Sequence, residues 1–320
     1  MMPLALLFAV LLDSVLGDPR WLPHPIRWIG HLIRFTERFT YPKQRAVSGE
    51  FAAGCFTSAV VAGSCALSVY LILSICKQIS AIAFFSLQVI IGFYCLSARS
   101  LIDEANRVRM FIQADNLPAA REALSMIVGR DTENLDEAAV IRATVETVAE
   151  NISDGITSPL VYMAVAGPVG AVVYKAVSTM DSMIGHRNSR YRHFGTCAAR
   201  LDDILNFIPA RITAFFLIPA VAFLFGLKWK ESLYVTIRDR LKHESPNSAH
   251  GEAAMAGALG ICLGGGAFYN GVFSSRPYLG NDIRPAAAAV IVQAGHITMG
   301  VTAIAAAITF AALYSVYGIQ

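Results

Sequence analysis

From Phe51 to Ile75 the chain runs without one charged side chain. An α-helix of that length is about 37 Å long at 1.5 Å per residue, enough to cross a hydrocarbon core of about 30 Å. A second such run covers 81–97, with Lys77 marking the turn between the two, and further apolar stretches occupy 156–180, 204–227 and 286–318. In lipid every backbone N–H and C=O must find a partner inside its own segment, so repeated runs of this length leave helices as the available architecture. The composition agrees. Only 15% of residues are charged against 55% hydrophobic, and mean hydropathy is +0.51, whereas soluble domains average about 25% charged.

The expected fold is therefore all-α, a polytopic integral membrane protein over 1–320, with an amphipathic-helix insertion at 98–150 on the cytoplasmic side. The net charge of +3 is small, and the basic residues gather in loops between apolar spans. That pattern follows the positive-inside rule and points away from nucleic acid as a partner. Residues 3–16 form a first, short apolar helix interrupted by Asp13. With no Lys or Arg before it, no A-x-A-like site after it and four arginines following, a cleaved signal peptide is not expected. Five of the six cysteines (Cys55, Cys65, Cys76, Cys95, Cys262) lie in apolar runs and no CxxC occurs, which reads as buried thiols.

Within the insertion, Leu101, Ala105, Val108 and Ile112 repeat at helical spacing. Asn116-Leu117-Pro118 reads as a helix start and Gly129 as a stop. A third helix, about 135–149, carries Ile141, Val145 and Val148 on one face and Arg142, Glu146 and Glu150 beside it. The runs 156–180 and 204–227 are broken by Pro159, Gly167-Pro168, Pro209 and Pro219 and contain Lys175 and Arg211. Simple single spans would place the basic loop 181–203 on the opposite side from its basic neighbours. Broken or re-entrant helices remove that conflict, since charge and irregular backbone at membrane depth are tolerated where they line a polar cavity.

Polar residues concentrate in four places. Gly17–Gly30 (GDPRWLPHPIRWIG) holds prolines 19, 23 and 25, which predict an extended path, with His24 and Arg27 between them and Trp21 and Trp28 suited to the interface. Glu150–Gly155 places two carboxylates (Glu150, Asp154) beside Asn151. Asp181–Asp203 is the densest, with four arginines, two histidines and three aspartates. Forked arginine donors suit phosphate and carboxylate, and adjacent aspartates suit Mg²⁺. Alternatively, such a segment is a solvated basic loop. His243–Glu252 supplies His243, Ser245, Asn247, His250 and Glu252 at the start of a small-residue helix, with Asn247 or Ser248 as its expected N-cap. Pro246 between the two histidines argues against a zinc pair. Gly264–Gly266 lacks the following Lys-Ser/Thr of a nucleotide loop and is expected to permit close helix packing.

Six stretches in order give the pattern a name: GDPRWLPHPIRWIG (17–30), VGRDT (128–132), ATVETVAENISDGITSPL (143–160), YKAVSTMDSMIGHRNSRYRHFG (174–195), AARLDDILNFIPAR (198–211) and HESPNSAHGEAAMAGALGICLGG (243–265). The chain resembles the CobD/CbiB family of membrane-bound adenosylcobinamide-phosphate synthases of cobalamin biosynthesis. It departs at His186, where a Tyr is expected in many members. The resemblance implies an ATP-dependent amide ligase of a prokaryotic plasma membrane, its site facing the cytoplasm. The enzyme would join aminopropanol or its phosphate to a propionate carboxyl of adenosylcobyric acid through an acyl phosphate. It implies ATP and Mg²⁺ as cofactors and association with other cobalamin-assembly membrane enzymes. On this reading Glu150, Asn151, Asp154, Asp181, His186, Asp202 and Asp203 are catalytic candidates, the last two as Mg²⁺ ligands. His24, Arg27, Lys175, Arg187, Asn188, Arg190, Tyr191, Arg200, Arg211, His243, Ser245, Asn247 and Glu252 are candidates for substrate and phosphate. The broken helices also suit a transporter, and a non-catalytic signalling relative would share the scaffold.

Overall fold

The computed structural model describes residues 2–18, 24–42, 47–186, 188–269 and 271–318. Arg20, Trp21, the prolines at 19 and 23, and Arg187 lie outside them. The protein is helical almost throughout, and five helical stretches among the described residues are long and apolar enough to cross a membrane: Val47–Ile79, Ala81–Gln113, Glu137–Ile184, Thr196–Leu224 and Ala288–Val316. It is an all-α, multi-pass membrane protein. The chain divides into two compact units, one of residues 1–97, 158–206 and 306–320, the other of 98–157 and 207–305. The helices of 98–150 thus cluster with residues 207–305.

In the first unit, α1 (Met2–Leu16) packs on α4 (Ala81–Cys95), and α2 (Pro25–Thr40), α3 (Val47–Ile79) and α8 (Ser158–Ile184) pack together. Their shared core is Ile29, Ile33, Val61, Cys65, Val177, Met180, Ile184 and Phe194. Only 17% of the most apolar stretch of α3 is buried. Phe56, Leu67, Tyr70 and Ile75 face outward, as residues solvated by lipid would. One expectation changes here and another is met. The extended path expected for 17–30 does not continue past His24, because Pro25 takes the first turn of α2, where the missing N–H costs nothing. The expected break near Gly167-Pro168 is present: Ala166 and Gly167 leave helical geometry, Gly167 at φ +61°, and two helical segments meet there across a kink.

In the second unit, α5 (Ala98–Gln113), α6 (Leu117–Ser125) and α7 (Glu137–Ile152) form one layer, and α10 (Ile218–Leu224), α11 (Trp229–Asp239) and α12 (Ser248–Leu259) another. The predicted stripe of α5 is buried at Ala105, Val108 and Ile112. Asn116 caps α6 through Oδ1, accepting from the Ala119 N–H at 3.1 Å. Helix α12 is buried from Ala249 to Leu259, and its small residues allow backbone to meet backbone. A Cβ at Gly257 would lie 2.5 Å from the Glu231 carbonyl oxygen on α11, and one at Gly251 would lie 2.6 Å from the Ala149 carbonyl oxygen on α7. A π-helical turn follows α7 at Ser153–Thr157, and another, Thr213–Leu217, joins α9 (Thr196–Ile212) to α10. The Thr213 hydroxyl donates to Thr157 Oγ1 at 2.9 Å between them. Such turns inside α-helices recur at functional sites.

The glycine run is not a helix-packing element. Two antiparallel ladders occupy this stretch: β1 (Cys262–Gly264) with β4 (Tyr278–Gly280), and β2 (Ala267–Tyr269) with β3 (Val272–Ser274). Gly264 and Gly265 turn the chain between them at φ +84° and +95°, a conformation that side chains with a Cβ disfavour. Helix α13 (Ala288–Tyr317) closes the chain.

Candidate functional site

The polar residues form a cluster in each unit. In the first, α8 ends at Ile184 and the chain turns back through 185–195 into α9. The turn is tied by Asn188, whose Oδ1 accepts from the N–H groups of Arg190 (3.0 Å) and Tyr191 (2.9 Å). Glycine sets its closeness: a Cβ on Gly195 would fall 1.7 Å from the Ile184 carbonyl oxygen, and one on Gly54 of α3 1.8 Å from that of Phe194. Arg190 donates from Nε and Nη2 to Oε1 of the buried Glu37, at 3.1 and 2.8 Å, and the Tyr191 hydroxyl donates to the same oxygen at 3.1 Å. Burial and the Glu37 carboxylate raise the Tyr191 phenol above its ordinary range. Three of the expected binding residues, Asn188, Arg190 and Tyr191, therefore hold the loop's shape.

Asp202 and Asp203 are consecutive on α9, and side chains one apart on a helix do not face each other. Asp202 Oδ2 accepts from Asn206 Nδ2 at 3.0 Å, one turn on. Asn206 Oδ1 in turn accepts from the Ser158 hydroxyl (2.6 Å) and the Tyr174 hydroxyl (2.9 Å), all three of these residues buried. Asp203 instead lies within electrostatic reach of Asp181, as does His186. Arg200 is exposed on α9.

His24 is the N-cap of α2. Its Nδ1 accepts from the Ile26 N–H at 3.2 Å, so the ring proton sits on Nε2, 3.3 Å from Asp18 Oδ2. The ring stands edge-on to Tyr94 at 5.2 Å. Burial, with Lys175 and Arg27 adding, lowers its pKa below the ordinary imidazole value, and Asp18 opposes. His24, at the start of α2 with Arg27, thus lies within electrostatic reach of Lys175 on α8.

In the second unit, the Gly251–Ala149 approach sets α12 against α7 and brings Glu252 toward Glu146 and Glu150. Glu146 is occupied: Oε2 receives Arg130 Nη2 at 2.6 Å and Oε1 the Gly264 N–H at 2.6 Å. Glu252 is 3% exposed. Burial, then Glu150 and Glu146, raise its carboxyl well above the usual range, while Arg276 and Arg130 oppose. His243 Nδ1 lies 3.1 Å from Ser248 Oγ and 3.7 Å from Glu252 Oε1. Burial and Arg276 lower its pKa. His250 is lowered further, to about 4, by burial and by Arg211 and Arg240. Asn247 occupies the N-cap position of α12 without capping it through its side chain. Its Oδ1 accepts from Arg211 Nη1 at 2.7 Å, and Arg211 Nη2 donates to the Pro246 carbonyl at 3.2 Å. The Asn247 N–H donates to Ser245 Oγ at 3.3 Å. Asn151 turns back on its own helix, donating to the Thr147 carbonyl at 2.9 Å. Asp154 is half-buried in the first π-turn.

Sequence reasoning missed Asn206, Ser158, Tyr174 and Glu37, and read Glu146 as a helix strip. The spacing Asp202–Asn206, i to i+4, was a visible signal. Ser158, Tyr174 and Glu37 reach their partners only through tertiary packing.

Comparison with known proteins agrees with the resemblance. The family model described as CobD/Cbib protein matches residues 6–298. Proteins named "Cobalamin biosynthesis protein CobD" are similar along most of the chain. The one from Pelobacter propionicus is 45% identical over 282 residues, covering 88% of this chain and 86% of the relative. That from Leptospira interrogans is 43% identical, covering 88% of each. That from Listeria monocytogenes (serovar 1/2a) is 40% identical, covering 95% and 96%. No solved structure matches. With a family model matched along nearly its whole length and relatives at this identity, the chain belongs to the CobD/CbiB family.

Proposed function

We propose that the protein works in cobalamin biosynthesis as adenosylcobinamide-phosphate synthase. It would be an ATP-dependent ligase joining (R)-1-aminopropan-2-ol, or its O-phosphate, to the free propionate carboxyl of adenosylcobyric acid. The observation that carries this reading is the nearly full-length match to proteins named for cobalamin biosynthesis. A carboxylate resists attack by an amine. Phosphorylation by ATP would turn it into an acyl phosphate, and the amine would then displace phosphate to form the amide. Phosphoryl transfer asks the protein mainly for positioning and charge neutralisation.

The first unit carries groups of the right kind. Lys175, Arg27 and Arg200 supply cations, and Arg187 belongs to the same stretch. Asp202 is held in one orientation by Asn206, and Asp203 sits near Asp181. No three His, Cys, Asp or Glu side chains among the described residues stand close enough to cage a metal. Mg²⁺ commonly takes one or two carboxylates and completes its shell with water and substrate phosphate, a demand that Asp203 with Asp181, or Asp202 singly, can meet. Bound there, the ion would neutralise charge on the transferring phosphoryl group.

Purified protein in detergent, given ATP, adenosylcobyric acid and aminopropanol phosphate separately and together, should release ADP or AMP only with the corrinoid. It should form amide only when the amine is also present. Asp202→Ala and Asp203→Ala should each lower turnover by about a hundredfold if they hold the ion. Corrinoid binding with no nucleotide turnover would move the protein to a binding or transport role.

A further inference from the structure

Helix α2 buries one face and leaves two kinds of side chain outside. Ile29, Gly30, Ile33, Thr36 and Glu37 are buried where the helix packs on α3 and α8. Arg27, His31, Arg34 and Arg38 are exposed, as are Trp28 (65%), Phe35 (64%) and Phe39 (71%). At about 100° of rotation per residue, the four basic residues fall in one stripe about 60° wide, and the three aromatics fall in a second stripe beside it. Arg34 Nη2 donates to His31 Nδ1 at 3.1 Å, and the Phe35 and Phe39 rings pack at 4.9 Å. The one acid of α2, Glu37, lies on the buried face, where Arg190 and Tyr191 donate to it. The outer face therefore carries positive charge with no acid of its own helix to balance it. At 16 residues and with this charge, α2 does not span a membrane. Helix α3, which follows at Val47, is long and apolar enough to do so, and only 17% of its most apolar stretch is buried.

We propose that α2 lies along the membrane surface, with its aromatic stripe in the outer hydrocarbon and its arginine stripe on the phosphates of anionic lipid headgroups. A surface facing water alone rarely sets large apolar rings side by side, and hydrocarbon alone does not accommodate three arginines. The boundary between the two satisfies both stripes. A helix lying there sinks its apolar side about 5–10 Å into the headgroup–acyl boundary while the cations beside it meet phosphate. Guanidinium groups suit that partner, because their forked donors engage two phosphate oxygens at once. The covalent neighbour α3 enters the same layer, so the aromatic stripe continues a surface already solvated by lipid. One consequence concerns the candidate site of the first unit. The 185–195 turn is held to the inner face of this same helix through Glu37, so it sits near headgroup depth.

The test uses full-length protein in bilayers of phosphatidylcholine and phosphatidylglycerol in equal parts. Of the three tryptophans, Trp28 alone is kept (Trp21→Phe, Trp229→Phe). Bromine, which quenches indole fluorescence on contact, is carried on the acyl chains of one lipid or the other. Trp28 should be quenched, and several-fold more strongly by brominated phosphatidylglycerol than by brominated phosphatidylcholine. Arg34→Gln with Arg38→Gln should bring the two lipids to parity while quenching persists. Arg34→Lys with Arg38→Lys should keep the preference, since the attraction is to charge. A second measurement needs no tryptophan change: unmodified protein washed in detergent should retain several-fold more phosphatidylglycerol than the double Gln variant. Trp28 left unquenched by either lipid would give this face to a protein partner and overturn the proposal. Equal quenching by both lipids before any arginine is changed, or equal retention in the second measurement, would overturn it as well. So would a preference abolished by inorganic phosphate but not by chloride of the same ionic strength, which would make the stripe a site for soluble anions.

Discussion

At the scale of single residues, buried carboxylates divide by how they are satisfied. Asp239 at the end of α11 has a fully buried side chain, and burial alone would raise its pKa. Arg238 donates to both its oxygens at 2.7 Å, Lys242 Nζ lies at 2.8 Å and the Gly280 N–H donates at 2.8 Å. Together these outweigh burial and hold it at about 2. Because the folded pKa is depressed below the unfolded one, the stabilisation is complete above the unfolded value near 3.8. It is lost as pH falls from there toward 2. Asp239→Asn should destabilise by about 2 kcal/mol at neutral pH, since three charge-assisted or backbone donors lose their acceptor. Thermal unfolding in detergent should show that gap narrowing as the pH drops toward 3. Glu252 is the opposite case, a buried carboxyl whose pKa burial and neighbouring acids raise, whereas Asp239 is a structural pin.

At the scale of elements, glycine positions decide how close the polar segments come. Gly54 has no free space: its Cβ would overlap the backbone oxygen of Phe194. Gly54→Ala should cost about 2 kcal/mol by overpacking. It should also loosen the 185–195 turn, read out as faster proteolysis within that turn. A variant as stable and as protease-resistant as wild type would mean that the turn is held by Glu37 alone. The start of α6 at its Asn116 cap and the buried stripe of α5 were legible because periodicity and caps act locally, whereas α6 ends at Ser125, short of the Gly129 stop expected. The start of α2 at Pro25 was misread, since a proline both ends an extended run and opens a helix. The Gly264–Gly266 turn was misread for a similar reason: glycine serves close helix packing and positive φ equally well, and the choice lies in Tyr278, Arg276 and Glu146, far along the chain.

At the scale of the molecule, the five apolar helical stretches predict that the protein stays with the membrane pellet after an alkaline carbonate wash, which strips peripheral proteins. Release into the supernatant would contradict the multi-pass reading. The chain's own order of residues determined the solvent it folds in, the helical class and where polar residues gather, because lipid burial and helical periodicity act on contiguous sequence. It could not say which of those stretches meet. Asp203 with Asp181, Asn206 with Ser158 and Tyr174, and His243 with Glu252 and the α7 acids are pairings that tertiary structure alone decided. They depend on backbone approaches at Gly54, Gly195 and Gly251, and the energy of a close contact is set by the partner's position in space, which no local pattern encodes.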